Sequence, residues 1–376
     1  MCSFVFLSCS TKNETGDFTK QKVSKGVRLV LPVLSQKKLQ KKRTVALNRG
    51  RILKSEKQYV PAELVIDNKS TAIKIRLKGD EIDHLNSNKW SYRIKSKNAL
   101  IADHRRFSLQ NPGSKNFLSE YLFHAFCKKE GLLALDYFFV PFSINDSLSK
   151  VYAYESLVDN NTLKQGGRKI GPILKFDENA YWKKFGTTTE KIDSVSMLSA
   201  KIKSCNKKWC KKNPKIVEEG TALLTAYRAG NLRPEQAFDY DLFAKYVAIS
   251  EVLGSSHNFR WINLRLYYNS TSKKLEPVAF DCFDGDHPRT TLIWYQERKK
   301  FEYFLHPLFA DQKFINLVEK QLKIYTQITY LKELLHENHS ALMQYNQLLK
   351  KENPSYFFNR EELFSRAEYL QKALVE

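Results

Sequence analysis

The sequence lacks several common signatures of function. No run of about 18 apolar residues occurs, so no segment is predicted to cross a membrane as a helix. The glycine-bearing loop at residues 166–172 has neither the GxxxxGK(S/T) nor the GxGxxG pattern, and it is therefore only a weak phosphate signal. No internal repeat is visible, which does not favour a solenoid or propeller.

The six cysteines do not form a zinc-binding pattern. Cys205 and Cys210 would need two further ligands nearby, and the surrounding sequence offers none. Their spacing allows a small disulfide loop in an oxidising compartment instead. Cys127 and Cys282 stand among apolar residues, which predicts that both are buried as small residues.

The composition predicts a folded protein with an anionic partner. Hydrophobic residues make up 42% and aromatic residues 13% of 376 residues, enough for a substantial core. The net charge of +22 favours nucleotides, phosphoproteins, nucleic acid or membrane lipid as partners. Basic runs such as residues 36–43 and 201–215 are also typical of solvated surfaces. No nucleic-acid-binding motif gathers these charges, so specific nucleic-acid binding is not expected.

The first ten residues, MCSFVFLSCS, resemble the end of a bacterial lipoprotein signal in which Cys9 is lipidated. The apolar part is shorter than the roughly 7 to 15 residues of a signal core and has no basic region before it, so we expect the true start to lie upstream. Residues 1–26 are accordingly predicted to be a truncated signal and tether that anchors the protein in the cell envelope. The alternative is a cytosolic protein with a frayed apolar N-terminus.

The remaining chain is predicted to have a β-rich part at residues 27–180, a basic insertion or connector at 181–235 and a helical part at 236–376. The strand-like runs IKIRLKG and SYRIKSK place Arg76 and Lys95 on polar faces that could line a phosphate pocket or lie in solvent. Glu155 ends an apolar strand, where a carboxylate is often the partner of a buried lysine. A β-rich first half and a helical second half fit an α+β, two-lobed architecture.

Residues 255–286 hold the densest set of chemically useful side chains. A helix over Asp239–Leu253 is predicted to end at Gly254, and a hairpin follows with strands at 264–268 and 275–280. Antiparallel pairing brings the polar residues before the hairpin to the same end as those after it. A loop Asn and a post-strand Asp at that end predict a Mg²⁺ site. The residues concerned are His257, Asn258, Asn263, Asp281, Asp284 and Asp286.

Several segments together resemble the CotH kinase family over residues 62–286. They include IKIRLKG, NKWSYRIKSKN, VYAYES, GPILKFDE, HNFRWINLRLYYN and LEPVAFDCFDGD. The resemblance implies a two-lobed atypical protein-kinase-like fold, with a β-rich N-lobe and a mainly helical C-lobe. It also implies transfer of the ATP γ-phosphoryl group, with Mg²⁺, to Ser/Thr hydroxyls of surface or exported proteins. The resemblance implies that Lys95 and Glu155 lie at the nucleotide and that Asn263 and Asp281 are the metal ligands and act in catalysis. Arg76 and Lys175 are added to the predicted nucleotide-binding residues, and His257 to the predicted catalytic residues.

One position departs from the kinase pattern. Protein kinases place an Asp five residues before the metal-binding Asn, and this chain has Asn258 there. An amide cannot accept a proton as a carboxylate does, so a general base is either absent or supplied by His257. His257 can equally be a structural histidine bonded to the loop backbone. The alternative function is therefore a catalytically impaired pseudokinase or surface-binding lipoprotein.

Overall fold

The computed structural model describes residues 26–179, 194–283 and 304–374. The strands are β1 (Val27–Val30), β2 (Val60–Ile66), β3 (Lys69–Leu77), β4 (Tyr92–Ser96), β5 (Arg106–Gln110), β6 (Tyr137–Ile144), β7 (Lys150–Ser156), β8 (Ile173–Phe176), β9 (Ile202–Ser204), β10 (Leu266–Asn269) and β11 (Lys274–Pro277). Short 3₁₀ turns occur at Ile82–His84, Pro112–Lys115 and His257–Phe259.

The helices are α1 (Val33–Arg49), α2 (Leu118–Lys129), α3 (Asn160–Gln165), α4 (Ser194–Ser199), α5 (Lys207–Lys212), α6 (Pro214–Arg228), α7 (Pro234–Ala237), α8 (Tyr240–Leu253), α9 (His306–Phe309), α10 (Gln312–Tyr325), α11 (Ile328–Glu337), α12 (His339–Glu352) and α13 (Arg360–Ala373). Within the described ranges, no helix has both the length and the apolar character needed to cross a membrane.

A closed seven-stranded barrel with the order β1-β2-β3-β4-β5-β7-β6 forms the first half of the protein. Strand β1 closes it, because it pairs antiparallel with β2 and parallel with β6, where Val27 lies opposite Phe142. In β3 the apolar residues Ile73, Ile75 and Leu77 are buried and alternate with polar residues on the other face. Each such buried apolar side chain contributes about 1.5–3 kcal/mol to folding.

The closed barrel shows that the expected two-lobed kinase-like fold is wrong. That expectation required an open sheet in the first lobe and a mainly helical second lobe. Strand β1 joins both edges of the sheet and so leaves no open edge. The second half also contains a sheet, ordered β11-β10-β8-β9. Strand β8 of this sheet lies within residues 27–180, which were predicted to form the first lobe. Strand β9 lies within residues 181–235, which were predicted to be an insertion or connector.

Helix α8 and the hairpin after it form as predicted. Asp239 accepts a hydrogen bond from the Leu242 amide at the helix start, and Gly254 ends the helix in the left-handed conformation at φ 69°. Strands β10 and β11 then pair antiparallel, with Leu266 opposite Pro277. Helix α8 is buried along most of its length and contacts α2, α10, α13 and β11. The hairpin therefore packs against a buried helix through β11, where the Asp239 N–H also donates to the Leu275 carbonyl oxygen.

Two helices begin at backbone features that lie next to the barrel. Helix α1 begins at Val33, and its residues Leu39 and Ala46 join the barrel core. Helix α2 begins only at Leu118, because Asn116 and Phe117 before it have positive φ angles of 50° and 49°. Phe117 is a bulky residue in a conformation that L-residues rarely adopt, a feature often found at functional sites.

Candidate functional site

The outer face of the barrel carries a row of cations across three neighbouring strands. Lys95 on β4 lies opposite Lys74 on β3 and opposite Arg106 on β5. Both lysines are exposed and Arg106 is half-buried, 3.8 Å from Asp159. The cationic faces of these strands are therefore neighbours. The row gives this part of the barrel a positive surface that favours anions.

The next row of cross-strand neighbours is more buried. Across strands β3, β4, β5 and β7, Arg76 lies opposite Arg93, Arg93 opposite Ser108, and Ser108 opposite Glu155. Arg76 donates to the Leu77 carbonyl oxygen at 2.7 Å, and its guanidinium lies 5.6 Å from the Tyr59 ring centroid. Burial lowers the pKa of Arg93 to about 10, although the charge of Glu155 opposes this shift. The Nε of Arg93 is buried without a hydrogen-bond partner, so this row retains an unused donor.

Lys78 and Glu155 form a buried ion pair at the end of β3. Their side chains are 9% and 7% exposed, and Lys78 also donates to the Gln110 side chain. Burial lowers the pKa of Lys78, and Glu155 partly offsets this effect. Burial also opposes ionisation of Glu155, but Lys78 and Arg93 outweigh it and lower the pKa of the carboxyl. The expectation that Glu155 pairs with a buried lysine is thus confirmed, with Lys78 as its partner.

The loop after Lys78 folds back over this pair. Gly79 has φ 99°, and a Cβ added there would lie 2.2 Å from Cδ2 of His84. His84 is buried, with Nδ1 3.0 Å from the Ser91 hydroxyl. Burial, together with the charges of Lys78 and Lys115, holds the pKa of His84 well below its usual value. The loop therefore places a neutral imidazole beside the cationic groups.

Buried Lys115 and Asp281, whose side chain is 19% exposed, form a second ion pair in the same cluster. Burial alone would raise the pKa of Asp281, but Lys115 and then His257 outweigh it and hold the pKa well below the usual value. The charge of Asp281 also acts on Lys78 and Glu155, so the two pairs form one electrostatic cluster. Asp281 has φ 58°, which adds a strained backbone to the site.

The segment that carries Asp281 is held from several sides. The Glu120 carboxylate accepts hydrogen bonds from the backbone N–H groups of Cys282, at 3.1 Å, and Phe283, at 3.0 Å. The Lys115 ammonium donates to the Phe283 carbonyl oxygen at 3.0 Å, and the Ser255 hydroxyl donates to the Cys282 carbonyl oxygen. The Asp281 carboxylate is consequently fixed in place before any ligand binds.

The loop before the hairpin brings His257 to Asp281, and Asn263 is hydrogen-bonded to the backbone of His257. Nε2 of His257 lies 3.5 Å from Oδ2 of Asp281, and Nδ2 of Asn263 donates to the His257 carbonyl oxygen at 3.0 Å. Asn258 is fully buried and donates to the Ser250 hydroxyl on α8 at 2.9 Å. The predicted meeting of the two polar clusters is confirmed for His257 and Asp281, whereas Asn258 bonds to α8.

The remaining predicted residues lie outside this cluster or beyond the described residues. Lys95 is exposed in the outer row, whereas the lysine beside Glu155 is Lys78. The Lys175 ammonium lies 3.1 Å from both carboxylate oxygens of Glu178. Cys9, Asp284 and Asp286 fall outside the described residues. Cys127 and Cys282 are buried as predicted, and Cys205 and Cys210 are free thiols instead of a disulfide.

Sequence reasoning missed Lys78, Lys115 and Glu120. Lys78 stands directly before Gly79, and this Lys-Gly pair at a strand end was the available signal. Lys115 follows the breaker Asn111-Pro112-Gly113, and its role depends on a contact 168 residues away with Phe283. Glu120 lies on a helix whose acidic residue looked like an ordinary first-turn carboxylate. Long-range contacts of this kind leave no local pattern.

The residues fit a phosphate-bearing ligand better than they fit a bare metal ion. Among the residues that the structure describes, no group of three or more His, Cys, Asp or Glu side chains is arranged to hold a metal. Asp281 and Asn263 supply hard oxygen donors, which suit Mg²⁺ when phosphates and water complete its shell. Lys115 already neutralises one oxygen of Asp281, so a cation there would share or replace that contact.

Comparison with known proteins does not identify a family for this chain. No protein-family model matches the chain, and no curated protein is significantly similar to it.

Proposed function

We propose that this protein is a Mg²⁺-dependent kinase that transfers the γ-phosphoryl group of ATP to Ser/Thr hydroxyls of surface or exported proteins. The resemblance to the CotH kinase family suggests this reaction. The observation that carries the proposal is the electrostatic cluster formed by the Lys78–Glu155 and Lys115–Asp281 pairs beside the cationic strands. Phosphoryl transfer depends mainly on positioning phosphates and neutralising their charge, and kinases use a Lys–Glu pair and a metal-binding Asp for this purpose.

The burial of the cationic side chains increases along the surface in a way that suits a triphosphate. Lys95 and Lys74 are exposed, Arg76 and Arg93 are half-buried, and Lys78 is buried. A polyphosphate lying across β3 and β4 would meet successive charges at increasing depth, with the unused Arg93 Nε as a donor. Lys175 lies on the neighbouring sheet and belongs to the proposed nucleotide set by the family resemblance alone.

Asp281 and Asn263 would hold Mg²⁺, which neutralises phosphate charge when bound. Nδ2 of Asn263 is used by the His257 carbonyl, which leaves its carboxamide oxygen as the donor for a cation. His257 would accept the proton of the attacking hydroxyl through the ring nitrogen that does not face Asp281, since Nε2 lies 3.5 Å from that carboxylate. Asn258 cannot take this role, because it is buried and donates to Ser250 on α8. The strained backbone at Asp281 supports a binding role for that carboxylate.

A catalytically impaired pseudokinase is the second candidate. The specific observation in its favour is that Lys115 forms an ion pair with Asp281, the carboxylate that would have to bind the metal. The lack of an Asp at position 258 points the same way. Such a protein would bind nucleotide or a surface partner through the same cluster without transferring phosphate. In both versions the resemblance of the first ten residues to a lipoprotein signal supports an envelope protein anchored through Cys9.

Transfer of radiolabelled phosphate tests the proposal. The full chain is incubated with γ-³²P-ATP, Mg²⁺ and either a cell-envelope extract or a generic Ser/Thr-rich protein. We expect label in a protein acceptor with the wild type and its loss in Asp281→Asn. Asp311→Asn, at a helix start away from the cluster, serves as the control and should retain labelling. Labelling that survives in Asp281→Asn would refute the assignment, and MgATP binding without labelling would support the pseudokinase.

A further inference from the structure

Three large apolar side chains project into solvent at the start of helix α1 and in the β6–β7 turn. Val33 and Leu34 begin helix α1 and are 66% and 74% exposed, and Leu148 in the β6–β7 turn is 88% exposed. Large apolar side chains grouped at a surface mark an interaction site more often than isolated ones do. This surface, defined by Val33, Leu34, Leu148 and the exposed face of α1, is called the α1 surface below.

The two segments of the α1 surface are joined by hydrogen bonds. The Leu31 N–H donates to the Asn145 side-chain oxygen at 2.7 Å, and the Asn145 amide donates to the Leu31 carbonyl oxygen at 3.3 Å. Leu34 and Leu148 each follow this contact by three residues. The apolar side chains therefore project from one region of the barrel and not from separate places.

The exposed face of α1 is cationic. Counted from Leu34, residues at helical spacings of three, four, seven and eleven are Lys37, Lys38, Lys41 and Val45, all exposed. The helix sequence VLSQKKLQKKRTVALNR contains no acidic residue. Asp146, beside Leu148 in the turn, is the exposed acid of this segment. The opposite side of α1, with Ser35, Leu39 and Ala46, is buried against the barrel.

We propose that the α1 surface docks onto an anionic lipid bilayer, with Leu34 and Leu148 inserted and the lysines among the headgroups. Apolar side chains bordered by lysines are the arrangement of interfacial membrane binding. Protein–protein interfaces are depleted in lysine, which argues against a protein occupant. Flexible lysine side chains can also follow headgroups that have no fixed position. The docking is separate from the proposed phosphoryl transfer and from any lipid on Cys9.

Vesicle co-sedimentation of the full chain tests this proposal. All proteins carry Cys9→Ser, so that an attached lipid cannot contribute. The vesicles contain phosphatidylcholine, either alone or with about 30% phosphatidylserine. We expect binding to the anionic vesicles that weakens with salt. Lys37→Gln/Lys38→Gln/Lys41→Gln should weaken it about 100-fold, since each lysine near such a surface contributes about 1 kcal/mol.

Two matched variants control the experiment. Lys207→Gln/Lys208→Gln/Lys211→Gln removes three exposed lysines with the same spacing from α5 and should bind like the parent. Leu34→Ser/Leu148→Ser should reduce binding at least tenfold, whereas Phe357→Ser, at another exposed apolar side chain, should not. Equal losses in the two lysine variants, or no binding by the parent, would overturn the proposal. Binding that needs the lysines but not Leu34 and Leu148 would overturn insertion, because it would show that the protein is held at the headgroups by charge alone.

Discussion

The Lys78–Glu155 pair gives the sharpest prediction, because removing one partner leaves a buried charge. In Glu155→Gln, Lys78 keeps the Gln110 acceptor but loses its countercharge in a site where both side chains are less than a tenth exposed. Breaking a buried pair in this way costs about 3–5 kcal/mol. We expect a loss near the lower value, about 3 kcal/mol at pH 7, because Lys78 can release its proton.

The pH dependence follows from the same lysine. Burial already lowers the pKa of Lys78 in the folded protein, and loss of Glu155 lowers it further. Between the folded and unfolded pKa values the unfolded chain binds more protons, so the free energy of unfolding rises with pH. The deficit of Glu155→Gln relative to the wild type should therefore shrink between pH 7 and pH 9.

Urea unfolding followed by tryptophan fluorescence measures this deficit. Glu333→Gln is the control, since Glu333 is 61% exposed in its pair with Lys129 and such surface pairs contribute about 0–1 kcal/mol. Lys78→Met/Glu155→Leu should recover most of the lost stability, because apolar replacement of both partners removes the buried charges together. A Glu155→Gln loss no larger than that of Glu333→Gln would refute the reasoning.

Two further predictions concern the Asp281 segment. The pKa of Asp281 is well below its usual value in the folded protein, so its stabilisation is present above about pH 4 and is lost as the pH falls towards the folded pKa. Acid unfolding followed by circular dichroism should thus be less steep in Asp281→Asn than in the wild type, and equal slopes would contradict this. The Glu120 carboxylate accepts hydrogen bonds from two backbone N–H groups, and Glu120→Gln places an amide N–H against one of them. Because this displaces the segment that carries Asp281, we expect kcat for phosphoryl transfer to fall about 100-fold with little change in KM for ATP. Steady-state kinetics measures both constants. An unchanged kcat would show that this clamp does not position Asp281.

The sequence was sufficient for features with a local physical cause. Gly254 ended α8 because a left-handed residue follows the helix, and the turn after Asn269 set the hairpin that brings His257 to Asp281. Burial of Cys127 and the alternation of β3 follow from the same local patterning. In each case neighbouring residues carry the information.

Features that depend on distant contacts were not predictable in the same way. Barrel closure requires β1 to meet β6 more than a hundred residues later, and nothing in VRLV specifies that partner. The choice of Lys78 over Lys95 beside Glu155 depends on strand register, since Lys95 lies opposite Lys74 and Arg106 in the exposed row. A shift of two residues along a strand keeps the same face but changes burial and partners completely.

The most direct measurement of the central claim is isothermal titration of ATP into the full chain, once with Mg²⁺ and once without it. The account predicts Mg²⁺-dependent binding by the wild type, loss of the Mg²⁺ dependence in Asp281→Asn, and strong weakening in Lys78→Met. Lys350→Met, at an exposed position on α12, should bind like the wild type. Binding that is equal in all four proteins, or absent from the wild type, would contradict the claim that this cluster is a nucleotide site.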